Sequence, residues 1–380
     1  MTSRFARWLG GLLTAAAMLA TAPLASAAVA NWTGNGSSAN WNNGGNWDAV
    51  YATSNDFVFS DASVRDTVST NASSNTTLTG TLTFAGDAFT VVNNNGSGTG
   101  TLTTQGVVYM NSNSTINFVA PAVLENDVLG TGAGTLVFTN ARGGTAFPGG
   151  TGDRDYTFGA TDNTSPFVMV LNRADGFVAP TVDRTVHIGA KVVVNNTAGG
   201  GLGLANVVVY NGGALAGSGV LTPGTTGTVA NVAIQAGGTL SAGDNYSTGG
   251  DVGVLTLSFE NASGQLILDS GSLFTFDLDG TANSDRVDVI AGSLALNGQQ
   301  FADFTFNTLG GFGAGTYTLF QSVSTTGSLG SNLTGVVGGL DGTISLDGNN
   351  VVLTVVPEPA SLLLLAAGAA GLVLRRRARA

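Results

Sequence analysis

The chain contains no cysteine and a single histidine, His187. These absences exclude disulfide staples, thiol catalysis, Cys-based metal sites and multi-histidine metal sites, so stability has to come from burial and backbone hydrogen bonds. A Ser-His-Asp arrangement would have to use His187. It sits in Thr185-Val186-His187-Ile188, with Asp183 nearby and no nucleophile elbow around any serine. That reads as a strand histidine facing solvent or a polar partner. Cations are scarce as well. Residues 28–356 hold seven, Arg65, Arg142, Arg154, Arg173, Arg184, Lys191 and Arg286, against 23 acids (the chain's 24 less Glu358), a balance of about −16. Such a surface repels nucleic acid and anionic lipid, since both need neutralising Lys or Arg, and no nucleic-acid partner is expected.

Long helical patterns are missing too. Of 57 glycines, all but Gly10, Gly11, Gly368 and Gly371 lie in residues 28–356, among abundant Asn, Thr and Ser. Glycine and β-branched residues disfavour helix, while Asn and Gly close turns, so the middle of the chain is expected to be short strands punctuated by turns. Apolar alternation marks strands at Thr79 to Phe84, Thr135 to Phe138, Val207 to Tyr210, Leu266 to Leu268 and Leu273 to Leu278. Turn sequences such as Asn93-Asn94-Asn95-Gly96, Asn211-Gly212-Gly213 and Asp347-Gly348-Asn349 separate them.

A Gly-x-Leu unit recurs at Gly213, Gly238, Gly264 and Gly292, which places its leucines, Leu215, Leu240, Leu266 and Leu294, at a near-constant interval. Gly-Thr-Leu units also begin at Gly80, Gly100 and Gly134. This period fits one coil of a β-solenoid, with the leucine inside and the preceding Gly at the corner. The fold class expected is therefore all-β, a parallel β-helix, with a β-sandwich as the alternative.

The two ends differ from the middle. Arg4 and Arg7 precede an apolar run from Trp8 to about Ala22 and the small residues Ala25-Ser26-Ala27-Ala28, the pattern of a signal helix cut after Ala27 by signal peptidase. A cut before Asn31 and a permanent anchor are the alternatives. At the other end an apolar segment, Ala360 to Leu374, lies between Pro357-Glu358-Pro359 and the cytoplasmic stop Arg375, Arg376, Arg377 and Arg379. As a helix this segment is about 22 Å long against a hydrocarbon core near 30 Å, a marginal transmembrane span.

The order Pro357-Glu358-Pro359, apolar segment and arginine cluster resembles the PEP-CTERM sorting domain. The resemblance implies that Pro357, Glu358 and Pro359 are the recognition motif of an exosortase, a membrane enzyme of bacteria that make exopolysaccharide. An ordinary single-pass anchor is the alternative. Residues 206 to about 300, with VVVYNGGALAGSGVL, VAIQAGGTLSAGDN and SDRVDVIAGSLALNG, resemble autotransporter-associated β-repeat and passenger-type sequences. That resemblance implies a parallel β-helix, although no run of barrel strands ends this chain. The organisation expected is a signal peptide (1–27), an N-terminal β-rich solenoid region (28–205), a β-repeat solenoid region (206–356) and a sorting tail (357–380) with its membrane segment at 360–374.

Three sets of residues invite chemistry. Arg142, Arg154, Arg173, Arg184 and Lys191 interleave with Asp153, Asp155, Asp162, Asp175 and Asp183, where a β-helix polysaccharide lyase or hydrolase would keep its site, or where a solvated surface would lie. Asp277, Asp279 and Asp285 offer oxygens to Ca²⁺, but if Asp277 and Asp279 filled the third and fifth positions of an EF-hand loop the twelfth would be Arg286. Trp32, Trp41 and Trp47 among Asn and Gly either stack on sugars, as in a carbohydrate-binding adhesin, or cap the first coil. The expectation is an exported, non-enzymatic envelope or matrix protein with no cofactor, held at the membrane by its tail and then at the cell surface or beyond. Its expected partners are signal peptidase, an exosortase-type enzyme, and exopolysaccharide or other matrix components.

Overall fold

A computed structural model describes residues 27–61, 63–70, 76–93, 102–119, 122–124, 126–138, 155–159, 166–171, 185–196, 205–243 and 252–357. The signal helix and the C-terminal membrane segment expected from the sequence lie outside these residues. Within them the chain is short strands, with two single-turn 3-10 helices at Gly44–Asn46 and Phe301–Asp303.

The strands stack as a ladder of coils rather than as hairpins. A first sheet of 12 strands runs from Val29–Asn31 to Thr325–Ser328. Every pairing along it is parallel. Because parallel neighbours keep the same side chains facing inward, one register row passes through the whole sheet. It reads Ala30, Phe57, Leu82, Val108, Val128, Phe158, Ile188, Val209, Ile234, Leu268 and Leu296, all buried. A second sheet carries a matching row, Phe89, Ile116, Leu136, Met169, Val192, Leu215, Leu240, Phe274 and Phe304. These rows face each other as one apolar core, and each buried Val, Leu, Ile or Phe contributes about 1.5–3 kcal/mol. The parallel β-helix is therefore the fold, and the β-sandwich is not. The first sheet crosses residues 205 and 206 without a break, since Thr185–Ile188 pairs with Asn206–Val209.

The coils are unequal, and this corrects the reading of the leucine repeat. Along the first sheet the shortest step between partners is from Val108 to Val128, and the longest is from Val232 to Leu266. Leu215 does stack under Leu240, but the partner above Leu240 is Phe274, so Leu266 comes too early in the chain to complete that coil. It falls on the first sheet instead, where it pairs with Val232 and Leu294. The four leucines thus fill two faces, not one column. The glycine half of the unit does behave as expected: a Cβ on Gly292 would stand 2.4 Å from the Gly264 carbonyl oxygen of the coil beneath.

Third-face strands differ between the halves. Thr76–Leu78, Leu102–Thr104 and Ala122–Leu124 form a small parallel sheet early in the chain. Later, Val220–Leu221, Val254–Ser258, Arg286–Ala291 and Gly315–Ser322 continue in parallel. The chain then reverses. Thr334–Val337, Leu340–Asp347 and Asn350–Val356 add to Gly315–Ser322 as an antiparallel meander, with the last two joined through the expected Asp347-Gly348-Asn349 turn.

Candidate functional site

The start of the solenoid is closed by aromatic rings. Trp32 and Trp41 are 1% exposed and Trp47 6%. Trp47 packs edge-on to Trp32 at 5.0 Å and against Phe57 at 4.8 Å, and Trp41 lies 5.3 Å from Phe59. Two of the three indole N–H groups are spent inside the protein: Trp47 Nε1 donates to the Trp41 carbonyl at 2.7 Å and Trp32 Nε1 to that of Arg65 at 2.9 Å. That of Trp41 is buried with no acceptor among the described residues. The surrounding asparagines are occupied by the loop itself. Asn46, fully buried, donates to the Ser38 and Asn40 carbonyls and accepts from Gly36 N–H. Asn31 donates through its backbone and side chain to the Asp48 carboxylate, both at 2.7 Å. These bonds, the side-chain one foremost, hold the Asp48 carboxyl below its ordinary value. No indole face is left open for a sugar ring.

The acidic residues near the C-terminal end serve the backbone. Asp285, 1% exposed, accepts from Asp277 N–H at 2.7 Å and Gly253 N–H at 2.8 Å. Asp277 accepts from the Asn307 amide, and Asp279 from Gly311 N–H and the Asn283 amide. These carboxylates fix strand ends and loops by accepting from their N–H groups, that of Asp277 being buried. Among the described residues no group of three or more His, Cys, Asp or Glu stands close enough to hold a metal.

His187 gathers partners that its sequence neighbourhood does not contain. Its Nδ1 is 2.7 Å from the Tyr210 hydroxyl and its Nε2 is 3.5 Å from an Asp155 carboxylate oxygen. The other Asp155 oxygen accepts from Thr185 N–H at 2.8 Å. The three side chains come from three successive coils on the outer side of the first sheet, at Tyr156–Phe158, Thr185–Ile188 and Asn206–Val209. The sequence points to Asp183 as the nearby acid, which lies outside the described residues, whereas the carboxylate that reaches the ring belongs to the previous coil. Arg142, Arg154, Arg173, Arg184, Asp153, Asp162 and Asp175 also lie outside the described residues. Lys191 opens the second-sheet strand Lys191–Val194, around the corner from His187. Chemically the trio is a polar tie across coils on an open surface.

Both ends of the folded body coincide with the edges of the terminal segments. Asp56 N–H donates to the Ala28 carbonyl and the first strand begins at Val29, so a cut after Ala27 leaves a chain that enters the fold at once. Ala25 lies outside the described residues. At the other end Val355 pairs with Gly315 and Gly342, and Val356 with Asp341, in the middle of the meander. Pro357, which has no N–H to donate, follows directly and ends the ladder. Glu358, Pro359, the 360–374 segment and Arg375, Arg376, Arg377 and Arg379 lie outside the described residues. Among the described residues no helix is long and apolar enough to cross a membrane.

No curated protein matches the chain. Residues 355–377 match the model of the PEP-CTERM protein-sorting motif, so the last strand of the folded body runs into a signal read by an exosortase-type enzyme on exported proteins.

Proposed function

We propose that this protein is a non-enzymatic structural component of the cell envelope or extracellular matrix. It is exported by its N-terminal signal, held at the membrane by residues 360–374 and delivered to the surface when an exosortase-type enzyme processes the tail. The observation that carries the reading is the sorting motif at 355–377, which begins within Asn350–Val356, the last strand of the meander that ends the folded body. The described residues between the two terminal segments form a parallel solenoid followed by an antiparallel meander, and their outer surface presents Asn, Thr and Asp, a surface suited to contacts with matrix components such as exopolysaccharide. Support for a non-catalytic role comes from the functional groups themselves. The indoles are buried, the clustered carboxylates of Asp277, Asp279 and Asp285 accept from N–H groups, and the His187 trio sits on an outer sheet face.

Mass spectrometry of the protein recovered from membrane and medium tests this. The expected mature species begins near Ala28 and, in the medium, ends close to Pro357. A chain kept in the cytosol with residues 1–27 uncut overturns the export reading, and sugar release from a polysaccharide panel overturns the non-enzymatic one.

A further inference from the structure

Val336, Asp341 and Val356 are lateral neighbours on three strands of the meander, because Asp341 pairs with Val336 on one side and Val356 on the other. Paired residues share a face, and here that face is outward. Val336 is 68% and Val356 46% exposed, while Val337 and Val355 beside them are buried. With Thr334 and Thr343 they line a shallow groove of about 480 Å³. Two branched apolar side chains therefore stand open at the point where the chain leaves the fold.

The chain allows that point no distance from a membrane. Only Pro357, Glu358 and Pro359 separate Val356 from Ala360, the first residue of the apolar segment. Four residue steps at full extension cover about 14 Å, and the headgroup layer of one leaflet takes up about 5–7 Å of that. Proline also stiffens the connection and disfavours a helical turn in the residue before it. We infer that, while the tail is inserted, the Val336 and Val356 face of the meander rests on the headgroup layer of an electrically neutral lipid surface. The inference rests on the tail reading above. Neutral lipid is specified because Asp341 sits between the two valines and the exported region is strongly acidic, so an anionic headgroup layer repels this face. The contact needs little intrinsic affinity, since the short covalent tether keeps the face at high effective concentration.

The absence of cysteine makes the test direct. Single variants Val336→Cys, Val356→Cys, Leu346→Cys and Val50→Cys of the chain from Ala28 to its C-terminus, without the signal segment, are labelled with an environment-sensitive fluorophore. Each is reconstituted into phosphatidylcholine vesicles that carry a quencher on the lipid. Leu346 is 42% exposed in the same meander, but it pairs with Val351 at the far end of the strand, about 17 Å from Val356. Val50, 88% exposed, lies near the aromatic cap. Quenching is expected to be several-fold stronger at 336 and 356 than at 346 and 50. A flexible linker of about 15 Gly/Ser residues between Val356 and Pro357 is expected to bring all four positions to the same low level while the protein still floats with the vesicles. Uniform quenching, or quenching that the linker leaves unchanged, overturns the inference with the tail reading intact. Failure to float with vesicles overturns the tail reading and this inference with it.

Discussion

Replacing Gly292 by alanine isolates the close approach on which coil stacking depends. Gly292 has φ +82° and precedes the first-sheet strand Ser293–Asn297. Its added Cβ would meet the Gly264 carbonyl oxygen at 2.4 Å and the Phe259 ring at 2.6 Å. Two costs combine. Left-handed backbone costs alanine about 1–2 kcal/mol whatever the space. Relieving the contact means lifting this coil off the one below, which strains the packing by about 1–3 kcal/mol and weakens the bond from Ser293 N–H to Gly264 O. The expected loss is about 2–5 kcal/mol. Gly339 supplies the matched control, because its φ is +83° and a Cβ there meets nothing within 4 Å. Gly339→Ala should lose only the backbone part, about 1–2 kcal/mol. Urea unfolding followed by far-ultraviolet circular dichroism reads both, since it reports strand throughout the stack rather than at the tryptophan-bearing end. Equal losses for the two variants would refute the claim that coil spacing, rather than φ, makes glycine necessary at position 292.

Three further outcomes follow from the hydrogen bonds of the carboxylates. The Asp48 carboxyl is held below its ordinary value of 3.8 by the Asn31 side chain first and the Asn31 N–H second. A depressed folded pKa adds stability that is present above the unfolded value and is lost as pH falls through the folded one, so the effect belongs below about pH 4. Asn31→Ala should raise the Asp48 pKa towards 3.8 in a nuclear magnetic resonance titration, and an unchanged value would remove the side-chain bond as the cause. Asp285→Ala strands the buried N–H group of Asp277, at about 1–3 kcal/mol, and removes the acceptor of the half-buried Gly253 N–H, which urea unfolding would read as a lowered midpoint. Millimolar Ca²⁺ should leave the Tm of the unmodified protein where it is, and a rise of several degrees would make these carboxylates ligands.

The in-and-out pattern of the strands is legible in the sequence, because alternation such as Val207 to Tyr210 specifies which side chains are inward. The turn at Asp347-Gly348-Asn349 is legible for the same local reason, that few residues other than Gly and Asn close so tight a loop. What local chemistry does not carry is the length of a coil. A strand with two inward residues fits either sheet, so the face on which Leu266 lands depends on how much chain is looped out before it. The partner of His187 is hidden for the same reason. In stacked coils a side chain's neighbours lie a whole coil away in sequence, and Asp155 stands one coil before the ring it meets. A second case is Val137, Val170, Val193 and Ala216. They form a buried row on the outer side of the second sheet, so apolar residues stand on both faces there and alternation gives way to a run.

The reversal of the chain after Gly315–Ser322 has no period to announce it, yet the physics of a stack calls for such an ending. A solenoid that stopped at a full coil would offer its last strands as templates for the first strands of another copy. At the start, the rings of Trp32, Trp41 and Trp47 cover the opening. At the finish, the inward row that runs through Leu268 and Leu296 reaches Gly327, so the next position has no apolar side chain to offer. Gly327 adopts φ +77°, and a Cβ there would lie 1.9 Å from the Leu296 carbonyl oxygen. The final strand, Thr325–Ser328, is thus polar, closely seated and turned at its third residue, which makes it a poor template for continuation. The antiparallel meander then extends the third face by three strands, and the chain leaves from the one beside Gly315–Ser322, at Val356. Ending the stack and placing the sorting tail are thus the work of consecutive segments, so an apolar residue at position 327 would disturb the first without touching the second.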